Sequence, residues 1–282
     1  MRWRGERESN NVEDRRGMGG GGKVAVGGGL GAIIIVVIGL LTGKDFSSIL
    51  ATDQQTQTTQ QTDGPRAPRA DDSTAQFIKV VLGSTEDVWN KIYAANGEQY
   101  QQPRLVMFDN SVESACGSAS SAMGPFYCPG DNKVYIDLSF CSELRDRFQA
   151  PGNFAVAYVV AHEVGHHIQN LMGLSEQMQR QRGRLSEAEY NKLSVKLELQ
   201  ADFLAGVWAY HANKMRNILE PGDLESALNA ANAIGDDKLQ KEAQGYIVPD
   251  AFTHGSSQQR MYWFKKGFQT GDLNQGKYED IR

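Results

Sequence analysis

The chain has 282 residues, of which 40% are hydrophobic and 22% charged, a balance that excludes a fully disordered protein. The formal net charge of −5 gives no basic surface for nucleic acid, so we expect no nucleic-acid partner. The first two of the three cysteines are too far apart for a zinc ribbon.

The N-terminal region predicts a membrane anchor. Residues 24–43 carry no charge, and twenty helical residues span about 30 Å, the thickness of the hydrocarbon layer. We therefore predict that 24–43 is a transmembrane signal anchor that attaches the chain to the membrane. A cleaved signal peptide is the alternative, but the long polar segment before it and the lack of a clear cleavage site argue against cleavage.

The flanking segments set the predicted orientation. Residues 1–23 are polar, glycine-rich and arginine-rich, with too few apolar side chains for a core of their own. The arginine-rich side of a span normally stays in the cytoplasm, so we predict a single-pass protein of the bacterial inner membrane whose catalytic domain faces the periplasm. Residues 44–72, rich in Gln, Thr, Asp and Pro, predict a flexible tether before a metallopeptidase domain at 73–282.

The sequence pattern of this domain predicts an α+β fold, mainly helical with a small antiparallel sheet. Apolar residues at helical spacing predict one or two helices over 73–95, with a break near Gly83. Residues 104–109 predict a strand, and 125–128 and 133–138 predict two more strands joined by a turn.

Two cysteines flank a Gly- and Ser-rich stretch that runs into the second predicted strand. In an oxidising compartment Cys116 and Cys128 can form a disulfide, which stabilises by about 3 kcal/mol on the chain-entropy model. Buried free thiols are the alternative, and Cys141 is assigned to packing.

Four helices are predicted in the second half of the chain. They cover 153–173, 186 to beyond 208, 223–235, and a segment that begins near 256. A Ser-Glu-Ala-Glu capping box opens the second of them, and Gly173 can end the first.

The first of these helices contains AHEVGHHIQN. His162 and His166 are just over one turn apart, so both imidazoles can bind one metal ion, with Glu163 beside them. Zinc held in this way lowers the pKa of its water toward about 7, and Glu163 would accept the proton and later deliver it to the leaving amine. Two surface histidines are the alternative, but the surrounding helix is strongly apolar and burial without partners is costly.

A catalytic zinc site needs a third protein ligand and one open position. The second long helix offers Glu198 and Asp202, again four residues apart, beside small residues that allow close helix approach. We predict that Glu198 is the third ligand and that Asp202 holds the other ring nitrogen of a ligand imidazole. A solvated acid pair is the alternative, which the apolar residues around Asp202 argue against.

Three further polar residues need separate interpretations. His167 lies about 100° round the helix from His166, so we predict that it packs or supports the site rather than binding metal. His254, just before the last helix, could donate a hydrogen bond to the oxyanion of the reaction, although a lone histidine is often structural. Arg260 could bind a substrate carbonyl or orient an acidic ligand.

Together these motifs resemble the bacterial family called putative neutral zinc metallopeptidases. The resemblance covers nearly the whole chain and rests on MRWRGERESNNVEDRR, MGPFYCP, VYIDLSF, AHEVGHHIQN, ELQAD, ALNAANAIGDD and PDAFTHGSSQQR. The chain is more distantly similar to HtpX-type membrane metalloproteases, which carry H-E-x-x-H, E-x-x-A-D and a T-H-P segment with an arginine. Gly255 stands where those relatives have proline.

The resemblance implies functions for the positions of this chain that match the family's motifs. It implies one zinc ion per chain held by His162, His166 and Glu198, in a gluzincin-like arrangement. It further implies that Glu163 is the general base, that Asp202 supports a ligand, and that His254 and Arg260 take part in catalysis. In zincins generally, an edge strand above the metal binds the substrate by strand addition, and we hypothesise that this strand is 133–138, with Val134, Tyr135 and Ile136.

The sequence thus predicts a membrane-anchored, zinc-dependent endopeptidase that hydrolyses polypeptide substrates with a metal-activated water and Glu163 as base. The alternative is a catalytically inactive, zinc-stabilised membrane protein that serves as an envelope binding or scaffold module. Glu163 argues against the alternative, because a purely structural site has no use for an unligated acid beside the metal. Cobalt or manganese would also suit these ligands.

Overall fold

A four-stranded mixed sheet lies against a group of helices in this computed structural model, which describes residues 1–17, 69, 71–148, 150 and 152–281. The strands are β1 (Val12–Asp14), β2 (Arg104–Phe108), β3 (Ser111–Ser114), β4 (Gly117–Ser120), β5 (Phe126–Cys128) and β6 (Lys133–Asp137). The helices are α1 (Asp72–Ala95), α2 (Ser139–Asp146), α3 (Asn153–Leu171), α4 (Leu174–Gln181), α5 (Glu187–Arg216), α6 (Asp223–Ala233), α7 (Asp236–Gln244) and α8 (Ser257–Thr270). The predicted α+β class, mainly helical with a small sheet, is confirmed.

The main sheet has the strand order β1-β2-β6-β5, and β3 and β4 form a separate hairpin. Only the β5–β6 pair is antiparallel, with Tyr127 opposite Val134, whereas β1–β2 and β2–β6 are parallel. The sheet is therefore mixed rather than antiparallel as predicted, because strands distant in sequence extend it on one side.

The prediction that β6 is an exposed edge strand is wrong. β6 lies between β2 and β5, and its residues Val134, Tyr135 and Ile136 are at most 1% exposed. Its backbone groups are already paired on both sides, so β6 has no free edge to which a substrate could add. Within the described residues, the sheet ends at β1 on one side and at β5 on the other, so β5 is the edge strand beside β6.

The first 17 residues belong to the folded domain, although residues 1–23 were predicted to be a separate cytoplasmic segment on the other side of a membrane span. β1 pairs with β2 and covers one edge of the sheet. The buried carboxylate of Glu86 on α1 accepts hydrogen bonds from the side chains of Arg7, Ser9 and Asn11. A Cβ at Gly83 would lie 2.7 Å from the carbonyl oxygen of Arg7, so only glycine allows this approach. Here α1 runs unbroken through the glycine that predicted a break.

The predicted localisation, a single-pass inner-membrane protein with its N-terminus in the cytoplasm, is wrong. Across 1–17 and 71–281 each helix is too short or too polar to cross a bilayer. One span would also separate the N-terminal segment from the domain that it packs against. Both Gly17 and Arg69 donate to the carboxylate of Asp109, so these two residues, which flank a segment outside the described residues, lie close together. The predicted anchor at 24–43, and most of the predicted tether, lie outside the described residues.

Helix α3 runs through the centre of the domain and is buried along almost its whole length. It contacts α1, α5 and α6 as well as β5 and β6. The predicted capping box of Ser186 opens α5, and a second box at Ser256 opens α8. The helices α4 and α7 and the β3–β4 hairpin were not predicted, because each is short and mostly polar.

Candidate metal centre and catalytic cleft

Side chains from α3 and α5 converge at one point. The Nε2 atoms of His162 and His166 lie 3.1 Å and 3.5 Å from the two carboxylate oxygens of Glu198. One ligand atom from each of these three residues lies within 4.8 Å of the others. The structure thus brings together the three side chains that the sequence analysis proposed as metal ligands.

This convergence depends on a close contact between the two helices. A Cβ at Gly165 would lie 3.0 Å from the carbonyl oxygen of Ala201 and 3.1 Å from its Cα. The small residue between the two histidines therefore lets α3 approach the backbone of α5 between Glu198 and Asp202. The sequence analysis identified the small residues on α5 but not Gly165.

Asp202 anchors His162 from behind the site. Its carboxylate is fully buried, and its Oδ1 lies 2.8 Å from Nδ1 of His162. Arg260 donates to Oδ2 from Nε at 2.8 Å and to Oδ1 from its terminal nitrogen at 3.0 Å, and the hydroxyl of Tyr158 donates to Oδ1 at 2.5 Å. These contacts make His162 Nδ1 a donor and leave Nε2 directed toward Glu198.

The second imidazole has a neutral partner that the sequence analysis missed. Nδ1 of His166 lies 2.9 Å from the side-chain oxygen of Gln169, one turn further along α3. The spacing of three residues on one helix was the available signal. His167, by contrast, points toward the sheet: Nε2 lies 2.6 Å from the carbonyl of Gln101, and Nδ1 lies 3.0 Å from the hydroxyl of Tyr127 on β5.

A cleft of about 540 Å³ opens over these ligands. Glu163 faces it beside the two histidines, and burial raises the pKa of its carboxyl. The edge strand β5 forms one wall, with Phe126 and Tyr127, and His254 lies on another. The cleft thus exposes an acid, a candidate hydrogen-bond donor and a free strand edge around one metal-ligating cluster.

The charges at this site suit a divalent cation. The carboxylates of Glu163, Glu198 and Asp202 face a single buried guanidinium, that of Arg260, so negative charge is in excess when the imidazoles are neutral. In the metal-free protein, protonation of the imidazoles balances this negative charge. Burial opposes a charge on His162, but Asp202 and Glu198 outweigh it and raise its pKa to about 10. Two imidazoles and a carboxylate match the ligand set and number of a catalytic zinc site, so these residues fit zinc.

Comparison with known proteins agrees with this donor set. A family model described as "Putative neutral zinc metallopeptidase" matches residues 1–278. The chain belongs to this family. The zinc metallopeptidase family match includes the first 17 residues, which the structure places inside the domain.

Two relatives are similar over most of the chain. "Uncharacterized protein YpfJ" of Escherichia coli (strain K12) is 47% identical over 280 residues, which cover 96% of each chain. "Uncharacterized protein Rv2575" of Mycobacterium tuberculosis (strain H37Rv) is 42% identical over 207 residues, 69% of this chain and 67% of its own. No solved structure matches the chain.

A buried acid, Asp236, contacts His254 and its neighbours. Oδ2 of Asp236 accepts the backbone N–H groups of Thr253, His254 and Gly255, and Oδ1 lies 3.2 Å from Nδ1 of His254. Burial raises the pKa of Asp236, but His254 and these N–H groups outweigh that effect and lower it. Asp236 was not predicted as a site residue, although its place just after Gly235 at the start of a helix was a signal.

One disulfide lies among the described residues, between Cys116 and Cys128. It ties the turn between β3 and β4 to the end of β5, and so supports the strand that walls the cleft. Cys141 is a buried free thiol.

Proposed function

We propose that this chain is a zinc-dependent endopeptidase whose zinc ligands are His162, His166 and Glu198. The convergence of these three side chains beside Glu163, in a cleft walled by a free strand edge, carries the proposal. Zinc bound there would act as a Lewis acid and make an attacking water acidic near neutral pH.

In this proposal Glu163 is the general base. It is one residue from His162 and faces the cleft, so it can accept a proton from a water molecule at the centre and return it to the leaving amine. In the metal-free protein, burial raises the pKa of its carboxyl.

His254 serves as a hydrogen-bond donor to the developing oxyanion. Nδ1 of His254 lies 3.0 Å from the hydroxyl of Thr253 and 3.2 Å from Oδ1 of Asp236, and the ring lines the cleft. In the doubly protonated ring the second N–H, on Nε2, is left to donate to substrate. Arg260 has a different task. It is 2% exposed, and its N–H groups donate to Asp202, Tyr158 and a backbone carbonyl. It therefore positions Asp202, the partner of His162, rather than binding a substrate carbonyl.

The substrate would be a polypeptide in extended form, added to β5. The exposed edge of this strand borders the cleft, and strand addition uses main-chain hydrogen bonds that read little sequence. Tyr127 on β5 is tied to α3 through His167 and Asn170, which fixes the distance between the strand and the metal helix.

The decisive variant is Glu163→Gln. It should keep bound zinc and lower kcat on casein or a peptide library by about 10²–10⁴-fold, because proton transfer loses its acceptor. His166→Ala should lose both zinc and activity. Glu176→Gln is the matched control, since this exposed glutamate lines the same cleft away from the ligands.

Each result has a clear meaning. A Glu163→Gln variant that cleaves as fast as wild type would refute the proposed base. A wild-type protein that binds zinc but cleaves no member of a broad library would favour the zinc-stabilised binding module.

A further inference from the structure

We infer that Gln169 is a positioning residue for His166, and that a directed chain of amide hydrogen bonds through Gln200 to the backbone of Gly276 fixes its orientation. The inference rests on the proposed zinc site. It concerns how one ligand is aligned, and it links the metal centre to the C-terminal segment of the chain.

The chain of contacts runs outward from the metal ligand. Nδ1 of His166 lies 2.9 Å from Oε1 of Gln169. Nε2 of Gln169 donates to Oε1 of Gln200 at 3.1 Å and to the carbonyl of Leu197 at 2.7 Å. Nε2 of Gln200 in turn donates to the carbonyl of Gly276 at 3.1 Å. Gln169 and Gln200 are 1% and 3% exposed, so water cannot easily replace these partners.

The backbone carbonyls set the direction of this chain. The oxygens of Leu197 and Gly276 can only accept hydrogen bonds, so the amide nitrogens of Gln169 and Gln200 must face them. Rotating the amide of Gln169 would place its oxygen against two acceptors in a buried site, which is costly. Its oxygen therefore faces His166, Nδ1 of His166 is the donor, and Nε2 is left with the lone pair that a metal needs.

The two imidazoles are thus held by different chemistry. His162 donates to the charged Asp202, whereas His166 donates to a neutral amide. A carboxylate orients a ring by its charge even if its own position shifts slightly. A neutral amide orients a ring only while the amide itself is held, which is the task of Gln200 and the carbonyl groups.

The acceptor at the outer end of this series of hydrogen bonds, the backbone of Gly276, is firmly packed. A Cβ at Gly276 would lie 2.3 Å from the ring of Phe203, so the backbone of this segment rests directly on α5. The hydroxyl of Tyr278 donates to the carbonyl of Leu193, and Ile281 is fully buried. The C-terminal segment therefore follows α5 past Glu198 and provides a fixed acceptor for Gln200.

The test is a double-mutant cycle on the full-length chain, in which the zinc affinity of each variant is measured by competition with a chromophoric chelator. Gln169→Met should weaken zinc binding by about 10–100-fold, as loss of a partner of a ligand histidine typically does. Gln200→Met should weaken it less. The double variant should bind no more weakly than Gln169→Met alone, because Gln200 acts through Gln169. Gln258→Met, at an exposed position on α8, is the control and should bind like wild type.

Other outcomes would overturn the inference. Unchanged affinity of a folded Gln169→Met variant would show that the amide does not position His166, and fully additive losses would show that Gln200 acts separately. Nitrogen-15 spectra of the zinc-loaded wild type add a test that needs no variant: His166 must carry its proton on Nδ1, and metal bound through Nδ1 would overturn the inference. A wild type without zinc affinity would instead refute the proposed function.

Discussion

Nδ1 of His162 lies 2.8 Å from Oδ1 of Asp202, and this contact joins the two helices that carry all three candidate zinc ligands. Asp202 is also the acceptor for the buried guanidinium of Arg260 on a third helix. One carboxylate therefore aligns a ligand and neutralises a cation in the core, so zinc binding and stability should depend on it together.

Asp202→Asn should weaken both properties. Loss of the charge leaves the guanidinium of Arg260 buried without its counterion, and we expect the free energy of unfolding to fall by about 3 kcal/mol. Zinc affinity should fall by about 10–100-fold because His162 loses its charged partner. Urea unfolding and chelator competition measure the two effects. Asp146→Asn, whose side chain is 73% exposed, should change neither; normal affinity in Asp202→Asn would contradict the arrangement.

Zinc affinity should rise with pH. In the metal-free protein, burial lowers the pKa of both ligand histidines, but the nearby carboxylates outweigh this effect. The pKa of His162 is raised to about 10, and that of His166 is also raised. Zinc binds only neutral imidazoles, so it must displace these protons, and affinity should increase at every pH below the raised values. If two protons leave, the change is about 100-fold per pH unit. Calorimetry in buffers of different ionisation enthalpy would count the protons, and a pH-independent affinity would be inconsistent with this electrostatics.

Asp236→Asn should shift the pH profile of catalysis. Burial lowers the pKa of His254, but the charges of Glu198 and Asp236 outweigh this effect and raise it. The ring therefore keeps its Nε2 proton to higher pH than a free histidine would. Without the charge of Asp236 that pKa falls, and the alkaline limb of the kcat profile should move to lower pH. His254→Phe should lower kcat by about 100-fold at pH values where His254 carries its Nε2 proton, and should remove this alkaline limb, while zinc stays bound. An unchanged profile in Asp236→Asn would remove Asp236 from the mechanism.

Gly165→Ala should disturb the metal centre by separating its helices. The added methyl group would lie 3.0 Å from the carbonyl oxygen of Ala201, and overpacking of this kind costs about 1–3 kcal/mol. Because the contacted atoms are backbone, a second change of Ala201→Gly should not restore stability or zinc affinity. Thermal unfolding and zinc competition of the single and double variants would decide, and full rescue by the second change would mean that side chains set the helix spacing.

Strand addition to β5 should make cleavage sensitive to the loss of individual backbone N–H groups in the substrate. Replacing a substrate N–H by N-methyl removes a main-chain hydrogen bond without changing the side chain. Scanning this change along a cleaved peptide should weaken kcat/KM at every second residue, because alternate N–H groups of a strand face the same neighbour. Equal effects at all positions would argue against strand addition.

Much of the local structure of this site was predictable from the sequence. The histidine pair with Glu163 and the pair Glu198 and Asp202 each follow from a four-residue spacing on a helix, which the sequence displays directly. The capping box at Ser186 is similarly local, because all of its hydrogen bonds lie within four residues. Such features need no knowledge of the rest of the fold.

Features that join distant segments were not predictable in this way. Asp236 holds His254 across 18 residues, Gln200 reaches Gly276 across 76, and β1 pairs with a strand more than 90 residues further along the chain. The edge strand was misplaced for the same reason: alternation shows that β6 is a strand, but only its neighbours show that it is interior. The sequence by itself therefore determined which side chains are candidate metal ligands, because helical spacing is a short-range property. Only the tertiary structure decided which groups hold the ligands, which strand is free, and that the first 17 residues belong to the same domain, because hydrogen bonds between distant segments depend on how the whole chain packs.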